Sequence, residues 1–220
     1  MDKELLEIIL SIEENNDLVE SLNDGIFDNE QLKRFVELTK YKKTKHSLYN
    51  SINANQRKCK RWLLDSLSIL ANVIKSPDSI LVLGGWYGGI AAMLKRKYGC
   101  LVRCIDIDPE YKSFSKKIYK DYIQFRQLDF VKYPIEKKYH DLIVSTSCEH
   151  FKKDDLLDFI DRTPEGITFC LQSNDYYGID GHITCFESIE SFIEYLPFKS
   201  YWADILPLEN YNRFMVIATK

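Results

Sequence analysis

From Ser79 onward short apolar runs alternate with helical stretches, and this alternation limits how the chain can fold more than any other feature. Runs at 80–83, 101–107, 123–128, 142–145 and 167–171 read as strands. Segments 90–98, 109–120, 154–160 and 189–196 read as helices. Local punctuation agrees. Gly99 closes the first helix, and Asp108 followed by Pro109 is an N-cap with proline at the first helical position. Two terminal strands at 201–206 and 214–219 complete a seven-stranded set. Parallel strands need crossover helices, so this order predicts α/β architecture with a doubly wound, mostly parallel sheet covered on both faces. Ligands on such sheets bind beyond the carboxyl ends of the strands. The residues just after each strand are therefore the ones to read for function.

The first third has a different character. Residues 1–75 read as an N-terminal helical extension and 76–220 as the ligand-binding domain, a division that suits a chain of 220 residues at about 150 per domain. Leu5, Leu6, Ile9 and Ile12 share one helical face, and Asp28 with Gln31 forms a capping-box pattern before Leu32, Phe35, Val36 and Leu38. After a polar, basic stretch at 40–55, Leu63, Leu64, Leu67, Leu70 and Ile74 recur at helical spacing until Pro77 and Asp78 stop the helix. No run approaches the ~20 apolar residues of a membrane span, and the charged start Met1-Asp2-Lys3-Glu4 lacks a secretory segment. No membrane partner and a cytoplasmic location are the expectation. The six cysteines form no C-x-x-C pair and read as reduced thiols. A net charge of -3 argues against wholesale wrapping by nucleic acid.

Three loops carry the ligand signal. Gly84-Gly85-Trp86-Tyr87-Gly88-Gly89 joins the first strand to its helix, where glycines admit positive φ and the helix N-terminus offers N–H groups. It is not the G-x-G-x-x-G of dinucleotide binders. Asp106 ends the second strand about 20 residues later, where a carboxylate accepts ribose hydroxyls. Asp129 ends the third strand, placed to accept an adenine amino group, while Phe130 or Ile107 packs on the ring. In this order the three resemble the class I, Rossmann-like S-adenosylmethionine-dependent methyltransferases, from Ser79 to the C-terminus. The resemblance implies S-adenosyl-L-methionine as cofactor, with its methionine part on the glycine loop, ribose on Asp106 and adenine at Asp129. More narrowly, the segments 83–88, 146–150 and 171–176 are similar to methyltransferase-like proteins met in phage and bacterial genomes. Two departures matter. The acid usual two residues before the first glycine is Val82, and the usual central glycine is Trp86. Lys60, in the basic segment 55–62, is the candidate substitute on the methionine carboxylate.

The fourth and fifth loops supply candidate chemistry. Ser145-Thr146-Ser147-Cys148-Glu149-His150 follows strand four, where this family places catalytic groups. His150 suits a general base near neutral pH, with Glu149 to orient it or touch the cofactor, Ser145 at the cofactor and Cys148 at the acceptor. Some relatives hold magnesium on E-x-x-E-H; here the first acid is Thr146, so no metal is expected. The segment 173–182 follows strand five, with His182 a second base candidate and Asn174 and Tyr176 lining an acceptor pocket. The [DNS]-P-P-[YFW] tetrad of amino-directed nucleic-acid methyltransferases is missing. Loops four and five should converge over the methyl group. The reading is O-methylation of a small molecule or glycan with a histidine base. Two alternatives stand beside it: an RNA methyltransferase using the basic segment 40–61, and a catalytically inactive cofactor-binding partner protein.

Overall fold

In a computed structural model, residues 7, 9–12, 15–135 and 139–220 are described, with backbone alone for 15 and 42–44. Leu5 and Leu6 lie outside them. Ile9 is fully buried, as its helical face implies.

Four helices come first: α1 (Asn15–Asn23), α2 (Asn29–Thr39), α3 (Lys42–Asn50) and α4 (Ala54–Ile69). The capping box of α2 forms as read, Gln31 N–H donating to Asp28 Oδ1 at 2.8 Å and Asp28 N–H to Gln31 Oε1 at 3.1 Å. Helix α3 occupies the basic stretch that showed no helical apolar face; among its described side chains Leu48 and Tyr49 are the buried ones. Helix α4 ends well before Pro77, passing into a 3₁₀ turn at Leu70–Asn72. Beyond Leu67 burial is only partial: Leu70 and Ile74 still pack on the core, while Ile69 and Val73 are 72% and 83% exposed.

The remainder alternates as predicted: β1 (Ser79–Leu83), α5 (Gly89–Tyr98), β2 (Leu101–Asp106), α6 (Pro109–Tyr119), β3 (Gln124–Gln127), β4 (Leu142–Ser145), α7 (Lys153–Arg162), β5 (Thr168–Asn174), α8 (Ile189–Tyr195), β6 (Tyr201–Pro207) and β7 (Asn212–Thr219). They form one seven-stranded sheet in the order 3-2-1-4-5-7-6. Strands β1 to β5 pair in parallel, and β7 enters antiparallel to both β5 and β6. Alternate residues of β1 enter opposite cores. Ile80 and Val82 pack with α5, α6 and the N-terminal helices, while Leu81 and Leu83 pack with α7 and α8. Strand β5 runs three residues beyond its expected end at Leu171, because β7 pairs with it as far as Asn174↔Arg213. Ser173 and Asn174 are thus buried strand residues rather than loop residues. Among the described residues, no helix is long and apolar enough to cross a membrane.

Candidate active site

The carboxyl ends of β1, β2, β4 and β5 and the turn after β3 open on one cavity of about 920 Å³. Its floor is the β1–α5 turn. Gly84 and Gly88 take φ of 58° and 89°, and a Cβ at Gly85 would lie 2.0 Å from Cys104 Sγ, so glycine alone lets this turn press against β2. Trp86 sits between them at φ 50°, a left-handed conformation costing a bulky residue about 1–2 kcal/mol. Its backbone N–H donates to Asp106 Oδ2 at 2.9 Å, which holds the turn. Its indole lies 5.7 Å from the Tyr87 ring and 6.4 Å from Tyr111, and its Nε1 has no partner among the described residues.

Asp106 receives a second N–H, from Asp108 at 3.1 Å, and burial raises its carboxyl pKa while these bonds lower it. Acceptor capacity remains on the carboxylate for a ligand. Asp108 itself caps α6 through Glu110 N–H at 2.7 Å. Asp129 caps a short 3₁₀ turn through Val131 N–H at 3.0 Å, and the Phe130 ring packs on Phe151 at 4.5 Å. Ile107 borders the cavity and is 68% exposed. Lys60 reaches in from α4, its stem passing Gly89 at the start of α5. The Lys60 ammonium donates to Gln56 Oε1 at 2.9 Å, Ser51 O at 3.2 Å and Gln56 O at 3.3 Å, all uncharged, and burial pulls its pKa down to about 8.

Loops four and five do converge. The His150 and His182 rings meet edge to face with centroids 4.8 Å apart, and both line the cavity. Nδ1 of His150 is 2.8 Å from Gly181 O, and Nδ1 of His182 is 2.9 Å from Tyr176 O. Each Nδ1–H therefore donates to a carbonyl and leaves Nε2 as the basic nitrogen. Tyr176 stacks at 4.7 Å on Tyr211, and Asn174 reaches the same space with its Nδ2 unpartnered among the described residues.

Four expectations need correction. Gly88 does not face the cavity; it packs against Ile123 and Ser115. Ser145 is fully buried, its Oγ accepting from Ser147 N–H at 3.3 Å. Cys148 turns into the second core and does not line the cavity, and burial pushes its thiol up to about 12. Glu149 does not orient His150: Arg213 Nη1 donates to Glu149 Oε1 at 2.7 Å, and Arg213 Nη2 to Thr146 O. Arg213 was missed altogether. A charge heading the apolar run 214–218 is ordinarily solvated, so no local signal marked its burial on Glu149. Tyr111 and Tyr211 were missed because nothing local marks a cavity wall.

Residues 81–170 match the model of the methyltransferase domain family. That stretch is less than half of the chain, and over it the chain is similar to a methyltransferase domain. A geranyl diphosphate C-methyltransferase from Streptomyces coelicolor A3(2), solved with Mg2+, geranyl-S-thiolodiphosphate and S-adenosyl-L-homocysteine, is 13% identical over 78% of this chain and 77% of its own, at a TM-score of 0.58. The N-methyltransferase NodS from Bradyrhizobium japonicum WM9 is 17% identical over 77% of this chain and 98% of its own, at 0.56. A Galdieria sulphuraria protein described as a sarcosine dimethylglycine methyltransferase is 24% identical over 56% of this chain, at 0.45, and this chain covers 48% of its length. At these identities the likeness is one of fold. No curated protein matches the sequence.

Proposed function

We propose that this methyltransferase moves the methyl group of S-adenosylmethionine to a hydroxyl oxygen of a small molecule or glycan, with the His150–His182 pair handling the hydroxyl's proton. The observation that carries this is the pair itself: two imidazoles in the cofactor cavity, each oriented by a backbone carbonyl to present Nε2. Gly84, Gly85, Trp86 and Tyr87 would hold the methionine part, and Lys60 its carboxylate. Asp106 would hold ribose, and Asp129, Ile107 and Phe130 adenine. Asn174 and Tyr176 would contact the acceptor. The cavity sits at the upper end of the ~300–1,000 Å³ usual for ligand sites, enough for cofactor and acceptor together. All three segments behind the narrower likeness, 83–88, 146–150 and 171–176, contribute residues to it.

In the reaction the hydroxyl oxygen bonds to the methyl carbon as the sulfur–carbon bond breaks, S-adenosylhomocysteine departs, and the proton moves to a histidine Nε2. Alignment and proton removal are the enzyme's main tasks. Part of the basic segment is engaged within the protein, which weakens the RNA alternative. Arg57 is buried on Asp17 and Asp24, Arg61 also pairs with Asp24, and Lys60 is buried in the cavity wall. The test uses methyl-labelled cofactor with fractionated cell extract. An alkali-stable O-methyl product is expected, and His150→Ala or His182→Ala should cut its formation by ~10²–10⁴ while cofactor affinity holds. Label appearing on RNA or on nitrogen would refute the assignment.

A further inference from the structure

His150 and His182 have a third companion. A ring nitrogen of each and a carboxylate oxygen of Glu149 lie within 4.8 Å of one another. Both rings donate Nδ1–H to a backbone carbonyl, at 2.8 and 2.9 Å, which leaves both Nε2 lone pairs available. Metal-binding histidines are oriented in this way, by a carbonyl on the other ring nitrogen. Glu149 is 3% exposed; its Oε1 takes Arg213, while Oε2 has no hydrogen-bond partner among the described residues. A buried carboxylate oxygen with no donor calls for a missing ligand.

We propose that His150, His182 and Glu149 bind a divalent transition cation at the acceptor end of the cavity. Sequence spacing argued against a metal, because Thr146 stands where E-x-x-E-H has its first acid. The tertiary structure brings in His182 from the loop after β5, a donor no local spacing reveals. Two imidazoles and one carboxylate suit manganese, cobalt or zinc better than magnesium or calcium, which prefer all-oxygen sites. The Arg213 guanidinium beside Glu149 further disfavours cations held by charge alone. Three protein donors leave positions open for oxygens of the acceptor. Resting on the O-methyl reading above, the cation would bind the acceptor hydroxyl, whose proton then passes to solvent at lower pH than from a free hydroxyl. The oxygen attacks the methyl carbon as before; with the cation bound the Nε2 lone pairs hold it and solvent takes the proton, and in the cation-free protein a histidine takes it as described above.

The test titrates chelator-stripped full-length protein with Mn2+, Co2+, Zn2+ and Mg2+ by calorimetry, with S-adenosylhomocysteine titrated separately. One equivalent of a transition cation should bind, with Mg2+ much weaker. His150→Ala and His182→Ala should each weaken it at least about tenfold. His46→Ala, an exposed histidine on α3, should leave it unchanged. S-adenosylhomocysteine binding should persist in all three variants, which shows that they fold and keeps this result separate from the cofactor reading. Protein that binds S-adenosylhomocysteine but none of the transition cations at millimolar concentration overturns the site. So does cation binding indifferent to both cavity histidines. Undiminished turnover in chelator would return the proton to a histidine and overturn the cation's role.

Discussion

At the scale of single residues, Lys60 is the most informative. A buried ammonium facing only carbonyl and amide oxygens is incompletely compensated, and burial depresses its pKa from 10.5 to about 8. Between those values the unfolded chain holds a proton that the native lysine has released, so the Lys60 contribution to stability rises with pH across that window and is lost as pH falls through about 8. A cofactor carboxylate placed beside Lys60 would pull the pKa back up. Binding of S-adenosylhomocysteine near pH 8.5 should therefore take up protons relative to Lys60→Met, and near pH 6.5 the two should not differ. Calorimetry in buffers of different ionisation heat reads this directly. Lys60→Met should also weaken binding by about 10–100-fold, the value of a charge-assisted bond. An unchanged affinity would place the methionine carboxylate elsewhere.

Elements decide where the loops at the cavity point. Strand β7 pairs with β5 over its whole length, and the last step of that ladder sets Arg213 opposite Asn174. From there Arg213 reaches the turn after β4 and ties it down through Glu149 and Thr146. The ion pair is 64 positions apart in sequence and nearly inaccessible to water. Breaking it from one side leaves a buried charge uncompensated, at a cost of about 3–5 kcal/mol. Arg213→Met should therefore lower the melting temperature strongly, and the double variant Arg213→Met with Glu149→Leu should recover part of the loss. Thermal denaturation of the four proteins forms a double-mutant cycle. Equal melting temperatures for Arg213→Met and the parent would show that the pair does not anchor the loop.

For the whole molecule, the N-terminal helices and the sheet domain are one packed body. Ile26, Phe27, Leu32 and Phe35 share a core with Leu94, Ile118 and Tyr119. Polar ties cross the same boundary: Arg34 Nη1 donates to Ile118 O at 3.0 Å and Arg96 Nη1 to Gly25 O at 2.8 Å. Helix α4 also contributes a cavity wall through Lys60 and Gln56. Calorimetric unfolding should show one transition, and a 76–220 fragment should melt far lower than the full chain or fail to fold. Two separate transitions, with a stable fragment, would mean that the shared core adds little.

The sequence by itself determined the strand–helix order, the caps at Asp28 and Asp108, the glycine turn and the acids after strands two and three. Each of these is a local property: periodicity, capping and backbone freedom act over a few residues. What only the tertiary structure decided is non-local. Pairing with β7 lengthened β5 and buried Ser173 and Asn174. Cys148 and Ser145 lie beside Glu149 and His150 in sequence yet turn into the protein, because a tight turn sends neighbouring side chains to opposite sides. The meeting of His150 with His182, and of Glu149 with Arg213, depends on which strands lie side by side, and sheet order is set by the packing of two cores rather than by any short stretch of chain.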